Sequence, residues 1–159
     1  MSNTRLQKLC RAAVIGALYA VLTLVWAPYS FGLIQFRISE ALCVLPWIIP
    51  EAAWGLFAGC LISNIIGGNG MLDIVFGSLA TLLAALATAR IKQKWLACLP
   101  PVLSNALIVG GVLYYIGLGG SYLVCAAYVF VGEAAVMYVL GLPLLITLDR
   151  TGIADKIKS

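Results

Sequence analysis

Long stretches of this sequence contain no charged residue, and this feature limits the possible folds more than any other. Residues 12–36, 52–72, 74–89 and 95–132 contain no Asp, Glu, Lys or Arg. A helix needs about 20 predominantly apolar residues to cross the hydrocarbon core of a bilayer. Hydrophobic residues make up 63% of the chain and charged residues only 10%, too few charges to cover a surface that faces water. We therefore predict an all-α membrane protein.

The neutral runs, and the turn signals between them, predict a bundle of six transmembrane helices. The 95–132 run is too long for one crossing, and the glycines in residues 117–121 indicate the turn. Residues 67–70 indicate another loop, and Pro143 predicts a bend or break in the last helix. Residues 38–50 are short for a span, so this second helix is expected to be short or steeply tilted.

The basic residues predict the orientation of the bundle. Apart from Arg37, they form three clusters, before the first helix, between the fourth and fifth helices, and at the end: Arg5, Lys8, Arg11; Arg90, Lys92, Lys94; Arg150, Lys156, Lys158. The positive-inside rule places all three in the cytoplasm, which requires six crossings and two cytoplasmic termini. The clusters also account for the net charge of +4, so we predict no nucleic-acid partner. We treat residues 1–159 as one integral-membrane domain with a retained first helix.

Small residues recur at spacings of four and predict close helix packing. They occur in the first, third and fourth helices: Ala13, Ala17; Gly55, Gly59, Ser63, Gly67; Thr81, Ala85, Ala89. This spacing places them on one helix face, where a neighbouring helix approaches closely. Most of these faces are expected to pack within the bundle. One face could dock a partner protein, and the face with Ala13 and Ala17 is the candidate.

Three carboxylates interrupt the apolar segments: Glu40, Asp73 and Glu133. An ionised side chain at mid-bilayer costs about 2.5–3.5 kcal/mol on insertion scales, so each needs a reason. Glu40 could be a first-turn acid after Ser39, paired with Arg37, and Asp73 could favour the start of the fourth helix. Glu133 lies about 16 Å into the last helix, so a ligand or ion role is favoured.

Other polar side chains could join these acids in one pocket. Amides and a hydroxyl occur in otherwise apolar helices or at their ends, at Asn64, Asn69, Ser104 and Asn105, and tyrosines occur at Tyr114, Tyr115, Tyr122 and Tyr128. For any single tyrosine, an interfacial position is the alternative. A pocket with aromatic walls and carboxylate acceptors would prefer a flat molecule that is cationic or rich in hydrogen-bond donors.

Several motifs resemble those of the QueT family, the substrate-binding S components of energy-coupling factor (ECF) transporters. They are Phe-Arg-Ile-Ser-Glu-Ala-Leu at residues 36–42, Leu-Pro at 45–46, and the run of residues 67–85 that begins Gly-Gly-Asn-Gly-Met-Leu-Asp. The resemblance extends over essentially the whole chain. By position in these motifs, Arg37, Glu40, Asn69 and Asp73 are the expected substrate-binding residues. We add Glu133 because of its depth in the last helix.

The resemblance implies a six-helix subunit of a prokaryotic cytoplasmic membrane that captures a queuosine precursor near the outer face. The implied ligand is 7-aminomethyl-7-deazaguanine or a related 7-deazaguanine. The Ala13 and Ala17 face would dock on a transmembrane T component, which two ATPase subunits drive.

The residues exclude several other functions and leave some open. There is no histidine, no C-x-x-C pair and no P-loop motif, so we predict neither an enzyme nor a metal or cofactor site. An S component for another small nutrient is one alternative. A stand-alone secondary transporter that uses Glu133 as a proton relay is a second, and a membrane-embedded enzyme is a remote third.

Overall fold

The computed structural model describes residues 2–32, 34–68 and 70–152, and these residues form seven helices and no β-strand. In chain order they are α1 (Ser2–Val25), α2 (Ala27–Ser30), α3 (Ile38–Trp47), α4 (Ala52–Gly67), α5 (Gly70–Thr88), α6 (Leu96–Tyr115) and α7 (Tyr122–Arg150). The prediction of an all-α fold is therefore confirmed.

Four of these helices are long and apolar enough to cross a membrane: residues Arg5–Val25 of α1, and α5, α6 and α7. Helices α3 and α4 are apolar but shorter. The turn predicted for residues 117–121 lies between α6 and α7, where Gly117, Gly119 and Gly120 have positive φ angles. Such φ angles are readily accessible to glycine alone, so these residues account for the reversal.

Helix α3 is a 3₁₀ helix at the centre of the bundle. Its residues from Ser39 to Pro46 are all buried, and it contacts helices α1, α4, α5, α6 and α7. At a rise of about 2.0 Å per residue, a ten-residue 3₁₀ helix extends roughly 20 Å, farther than an α-helix of the same length. This segment is too short for an ordinary transmembrane span. It lies deep within the fold because the 3₁₀ helix is longer per residue and because other helices surround it.

Helices α1 and α4 pack with their backbones almost in contact. A Cβ atom added to Gly55 would lie 2.1 Å from the carbonyl oxygen of Ala12, and one added to Gly59 would lie 2.4 Å from that of Gly16. Only glycine permits this approach. The predicted stripe of Gly55 and Gly59 is therefore an internal packing face, as is common for small residues in membrane helices.

Two helices contain a turn of π-helix. In α5 it comprises Asp73–Gly77, and in α7 it comprises Met137–Gly141. The predicted break at Pro143 is not found, because α7 continues to Arg150, and a π turn directly precedes the proline. The loop signal at residues 67–70 coincides with the interruption between α4, which ends at Gly67, and α5, which begins at Gly70 and contains Asp73.

Candidate functional site

Four of the five predicted site residues are buried inside the bundle. Arg37, Glu40, Asp73 and Glu133 are at most 6% exposed. They come from the segment before α3, from α3 itself, from the π turn of α5 and from the middle of α7. The fifth predicted residue, Asn69, lies outside the described residues.

Arg37 and Asp73 form a buried ion pair. The guanidinium Nη2 of Arg37 lies 3.2 Å from Oδ2 of Asp73, and its Nε donates a hydrogen bond to the carbonyl oxygen of Ser30 at 3.0 Å. The guanidinium also lies over the ring of Phe31, 5.2 Å from the ring centroid. The pair fixes the segment before α3 onto α5, and Arg37 pairs with Asp73 instead of the predicted local partner, Glu40.

Glu40 is held by two other side chains. The hydroxyl of Tyr19 donates to its Oε1, and the thiol of Cys43 donates to its Oε2 at 3.0 Å. The alternative in which Ser39 caps α3 is wrong, because α3 has no side-chain cap and the Ser39 hydroxyl lies 2.6 Å from that of Thr23. Both oxygens of Glu40 are thus satisfied within the protein.

Glu133 has one hydrogen bond and one oxygen without a partner. The amide Nδ2 of Asn105 donates to its Oε1 at 2.9 Å. The helix that carries Glu133, α7, also packs against α3, which carries Glu40. Three carboxylates and a single guanidinium therefore share this interior.

Three acceptor oxygens of the cluster lack a donor among residues 2–32, 34–68 and 70–152. They are Oδ1 of Asp73, Oδ1 of Asn64 and Oε2 of Glu133. Most buried side-chain acceptors in proteins have a hydrogen-bond partner, so each exception calls for an explanation. All three are acceptors, so a molecule that binds here must bring donors.

The sequence did not identify several side chains that complete the cluster. Tyr19, Cys60 and Thr81 are fully buried, and the sulfur of Cys60 receives contacts from Arg37 and Asn64 and a hydrogen bond from Thr81. One signal was available in α1. Tyr19 and Thr23 are polar groups four residues apart in an apolar helix, which places them on one inward face.

The predicted aromatic walls are not part of this cluster. Tyr114, Tyr115 and Tyr128 are exposed. Tyr122 packs edge-on against Tyr114, and the Tyr122 hydroxyl donates a hydrogen bond to the carbonyl oxygen of Leu107. These positions fit the alternative of an interfacial belt. The prediction that these tyrosines line a pocket with the acids is wrong, and Tyr19 is the tyrosine that contacts one of them.

An apolar groove lies apart from the charged cluster, on the surface between α1 and α4. Its volume is about 630 Å³, and Ala13, Ala17 and Ala58 are among the residues that line it. Ala13 and Ala17 are exposed, whereas Gly16, on the neighbouring face of the same helix, is buried against α4. The groove has no carboxylate and is not the polar site.

The site has no arrangement suited to a metal ion. Within the described part of the chain, no three His, Cys, Asp or Glu side chains are placed to hold one. The groups that the cluster provides for ligand recognition are carboxylate and amide oxygens and one guanidinium.

Apolar helices around a buried cluster of charged side chains are typical of a membrane protein that handles a polar molecule. The chain belongs to the QueT transporter family, whose sequence profile matches residues 9–150. The predicted family is thereby confirmed, and so is the prediction that the chain is a transport protein and not an enzyme. One relative is the "Queuosine precursor transporter QueT" of Lactococcus lactis subsp. cremoris (strain MG1363), 31% identical over 101 residues. That match covers 60% of this chain and 59% of the relative, and no solved structure matches.

Proposed function

We propose that this chain is the substrate-binding S component of an ECF importer and captures a 7-deazaguanine precursor of queuosine. The observation that carries the proposal is the charge balance of the buried cluster, in which Glu40, Asp73 and Glu133 accompany one cation, Arg37. Buried carboxylates are costly unless cations or N–H donors reach them. A cationic, donor-rich ligand would supply what the cluster lacks.

The free oxygens suggest a role for each carboxylate. Asp73 has an unpartnered Oδ1 and would accept from the guanine-like edge, while Arg37 holds its other oxygen. Glu133 has an unpartnered Oε2 and would bind the ligand's amine. Glu40 has donors on both oxygens and would contribute mainly negative charge. Asn69 remains a predicted ligand residue on its motif position alone.

The compound 7-aminomethyl-7-deazaguanine suits these groups chemically. Its guanine-like edge presents adjacent N–H donors, which a carboxylate accepts as it accepts those of arginine. Its aminomethyl group is a cation at neutral pH, so a second carboxylate can pair with it. The printed name of the L. lactis relative, a queuosine precursor transporter, supports the same ligand class.

Calorimetric titration of the detergent-purified chain tests this function most directly. We expect saturable binding of 7-aminomethyl-7-deazaguanine near one to one, and no binding of riboflavin. Guanine, which lacks the aminomethyl group, should bind more weakly. Absence of heat with every deazapurine, from protein shown to be folded, would refute the substrate assignment and leave other small nutrients to be screened.

The exposed Ala13 and Ala17 face supports docking on a transmembrane T component. Its small side chains leave an open apolar groove against which another helix could pack closely. We expect Ala13→Trp and Ala17→Trp to abolish co-purification with a co-expressed T component and its ATPase subunits. Leu18→Trp is the matched control, because Leu18 is exposed on α1 but does not line the groove. Loss of the complex in the control alone would contradict this assignment.

We propose six membrane crossings with both termini in the cytoplasm. Helices α3 and α4 would provide the two shorter crossings. Helix α3 is buried among longer helices, which supports its place as one of them. Accessibility of single cysteines in whole cells tests the arrangement. In a chain with Cys10 replaced by serine, an impermeant maleimide should label Leu118→Cys, in the α6–α7 turn, and spare Gln93→Cys, before α6. The reverse pattern would invert the topology.

A stand-alone proton-coupled transporter is the alternative that the unpartnered oxygen of Glu133 allows. Such a protein would transport ligand in vesicles that contain this chain alone, at a rate set by the pH gradient. An S component would require its partner subunits and ATP. Uptake by reconstituted vesicles with and without these partners separates the two mechanisms.

A further inference from the structure

We propose that Asn105 is a positioning residue that holds Glu133 for the ligand's cationic amine, and so sets the preference for an amine over a neutral group. This inference rests on the proposed function, in which Glu133 binds that amine, and adds the residue through which the carboxylate is held. Asn105 is not part of the motifs that predicted the site. Its role follows from its contact in the fold.

The amide of Asn105 and the carboxylate of Glu133 form a hydrogen bond between two helices. Nδ2 of Asn105, in α6, donates to Oε1 of Glu133, in α7, at 2.9 Å, and the two residues are 3% and 2% exposed. An ionised carboxylate only accepts hydrogen bonds, so the amide must present its nitrogen. The bond therefore holds Oε1, while Oε2 is left without a donor in the described ranges.

Close packing of α6 and α7 lets a short side chain make this contact. A Cβ atom added to Gly110 would lie 2.7 Å from Cα of Ala126, so the two backbones nearly touch there. Gly110 follows Asn105 by five residues and Ala126 precedes Glu133 by seven, as expected for antiparallel helices. At 1.5 Å per residue, the hydrogen bond lies about 7–11 Å from the glycine contact. The backbone packing thus keeps the asparagine within reach of Glu133.

Glu133 also lies next to the segment that carries Arg37. A Cβ atom added to Gly132 would lie 2.0 Å from the carbonyl oxygen of Ile34, so the chain before α3 contacts α7 at the residue adjacent to Glu133. Three residues after Ile34, Arg37 pairs with Asp73. The carboxylate that Asn105 holds is therefore beside the segment that forms the buried ion pair.

Among the three buried carboxylates, Glu133 has the least compensation for its charge. Asp73 faces the guanidinium of Arg37, and Glu40 has a donor on each oxygen. Within the part of the chain that the structure describes, Glu133 has one neutral donor and no ion pair. A neutral amide orients a carboxylate without neutralising it, and a buried charge is costly unless it is paired. This arrangement favours a ligand with an ammonium group over one with a neutral group of similar size.

The test compares two ligands by calorimetry on the wild-type chain and its variants. The ligands are 7-aminomethyl-7-deazaguanine and the neutral 7-methyl-7-deazaguanine. The wild-type chain should bind the aminomethyl compound at least about 10-fold more tightly. Asn105→Leu should reduce this preference to about threefold or less, because a hydrogen bond to a charged group corresponds to about 10-fold or more in affinity. Affinity for the methyl compound should change by less than about threefold.

A double-mutant cycle separates positioning from a merely structural role. A Glu133→Gln chain has no charge to position, so adding Asn105→Leu should change its preference by less than about twofold. Thr88→Val is the matched control, because it removes another buried hydrogen bond of α6, from the Thr88 hydroxyl to the Ala97 carbonyl oxygen at 3.1 Å. The control should keep the wild-type preference. Effects of the two changes that simply multiplied would overturn the positioning role.

Asn105→Ser provides an independent variant if the leucine change prevents folding. Its side chain is too short to reach the carboxylate at the same helix spacing, so it should lower the preference in the same way. An undiminished preference in either folded variant, or equal losses for both ligands, would overturn the inference. A wild-type chain that binds neither ligand would refute the proposed function and this inference together. A wild-type chain that binds both equally would refute the roles of Glu133 and Asn105 and leave capture of a 7-deazaguanine standing.

Discussion

Removing either charge of the Arg37–Asp73 pair should destabilise the ligand-free protein far more than removing both. The two side chains are 3% and 8% exposed, and their charged atoms lie 3.2 Å apart. Breaking a buried ion pair costs about 3–5 kcal/mol, because one charge stays in the interior without compensation. For a chain of this size each kcal/mol lowers the unfolding temperature by about 2–4 °C. Arg37→Met and Asp73→Leu should therefore each lower it by roughly 6–20 °C.

The double variant should unfold at a higher temperature than either single variant. It contains neither the lone Arg37 guanidinium nor the lone Asp73 carboxylate, and its main remaining loss is the hydrogen bond to the Ser30 carbonyl, which leaves a buried acceptor unsatisfied at about 1–3 kcal/mol. Buried ion pairs replaced by apolar side chains are often neutral in stability for the same reason. The difference that decides the order is the lone buried charge, which each single variant contains and the double variant does not.

Tryptophan fluorescence during heating of the detergent-purified protein measures the unfolding temperature of all three variants, since the chain has four tryptophans. The matched control is Lys94→Met, which breaks a pair whose side chains are about one-third exposed. Ion pairs of that kind contribute about 0–1 kcal/mol, so the control should unfold close to wild type. If the losses of the two single variants simply added in the double variant, the residues would act independently. That result would refute the ion pair as the reason for their burial.

Three further predictions follow from packing, charge and exposure. Gly55→Ala would place a methyl group 2.1 Å from the Ala12 carbonyl oxygen, so we expect a loss of about 1–3 kcal/mol in thermal unfolding. Gly111→Ala, where the nearest neighbour is at 3.6 Å, is the control and should be tolerated. Glu133→Gln retains an acceptor for its amide partner but not the charge, so calorimetry should show at least about 10-fold weaker binding of the aminomethyl ligand. A soluble maleimide should modify Cys10 and spare the four buried cysteines in native protein, and mass spectrometry that found several labels would contradict the fold.

The buried charges were predictable because charge is the feature that an apolar bundle tolerates least. Arg37, Glu40, Asp73 and Glu133 interrupt hydrophobic segments, so their burial follows from composition and position. Their partners were not predictable. Arg37 and Asp73 are far apart in sequence, and local spacing favoured Glu40 as the partner of Arg37. Only the packing of the segment before α3 against α5 decides between the two.

The two π turns and the 3₁₀ helix could not be predicted from the spacing of apolar residues in the sequence. An α-helical pattern repeats every 3.6 residues, and one π turn shifts that pattern too little for a short apolar segment to reveal it. The sequence predicted the loop at residues 67–70 and a helix after it, but not the π turn from Asp73 to Gly77 within that helix. The 3₁₀ geometry of α3 was hidden in the same way, although the shortness of the segment had indicated that it was unusual.

The spacing of small residues predicted that α1 packs closely against another helix but did not indicate which face of α1 makes the contact. Ala13 and Ala17 repeat every four residues, and so do Ala12 and Gly16 one position before them. The structure packs Gly16 against α4 because Gly55 and Gly59 also lack side chains. Matching two glycine surfaces requires both helices, so a single helix could not reveal it.

Helices α1 and α4 each contribute to both the buried cluster and the surface groove. In α1, Tyr19 donates to Glu40, and two residues earlier Ala17 lines the groove. The glycine contacts fix α1 to α4, so α1 is held rigidly between the interior and the surface. If a partner docks at the groove, it therefore contacts the same pair of helices that carry Tyr19 and Asn64.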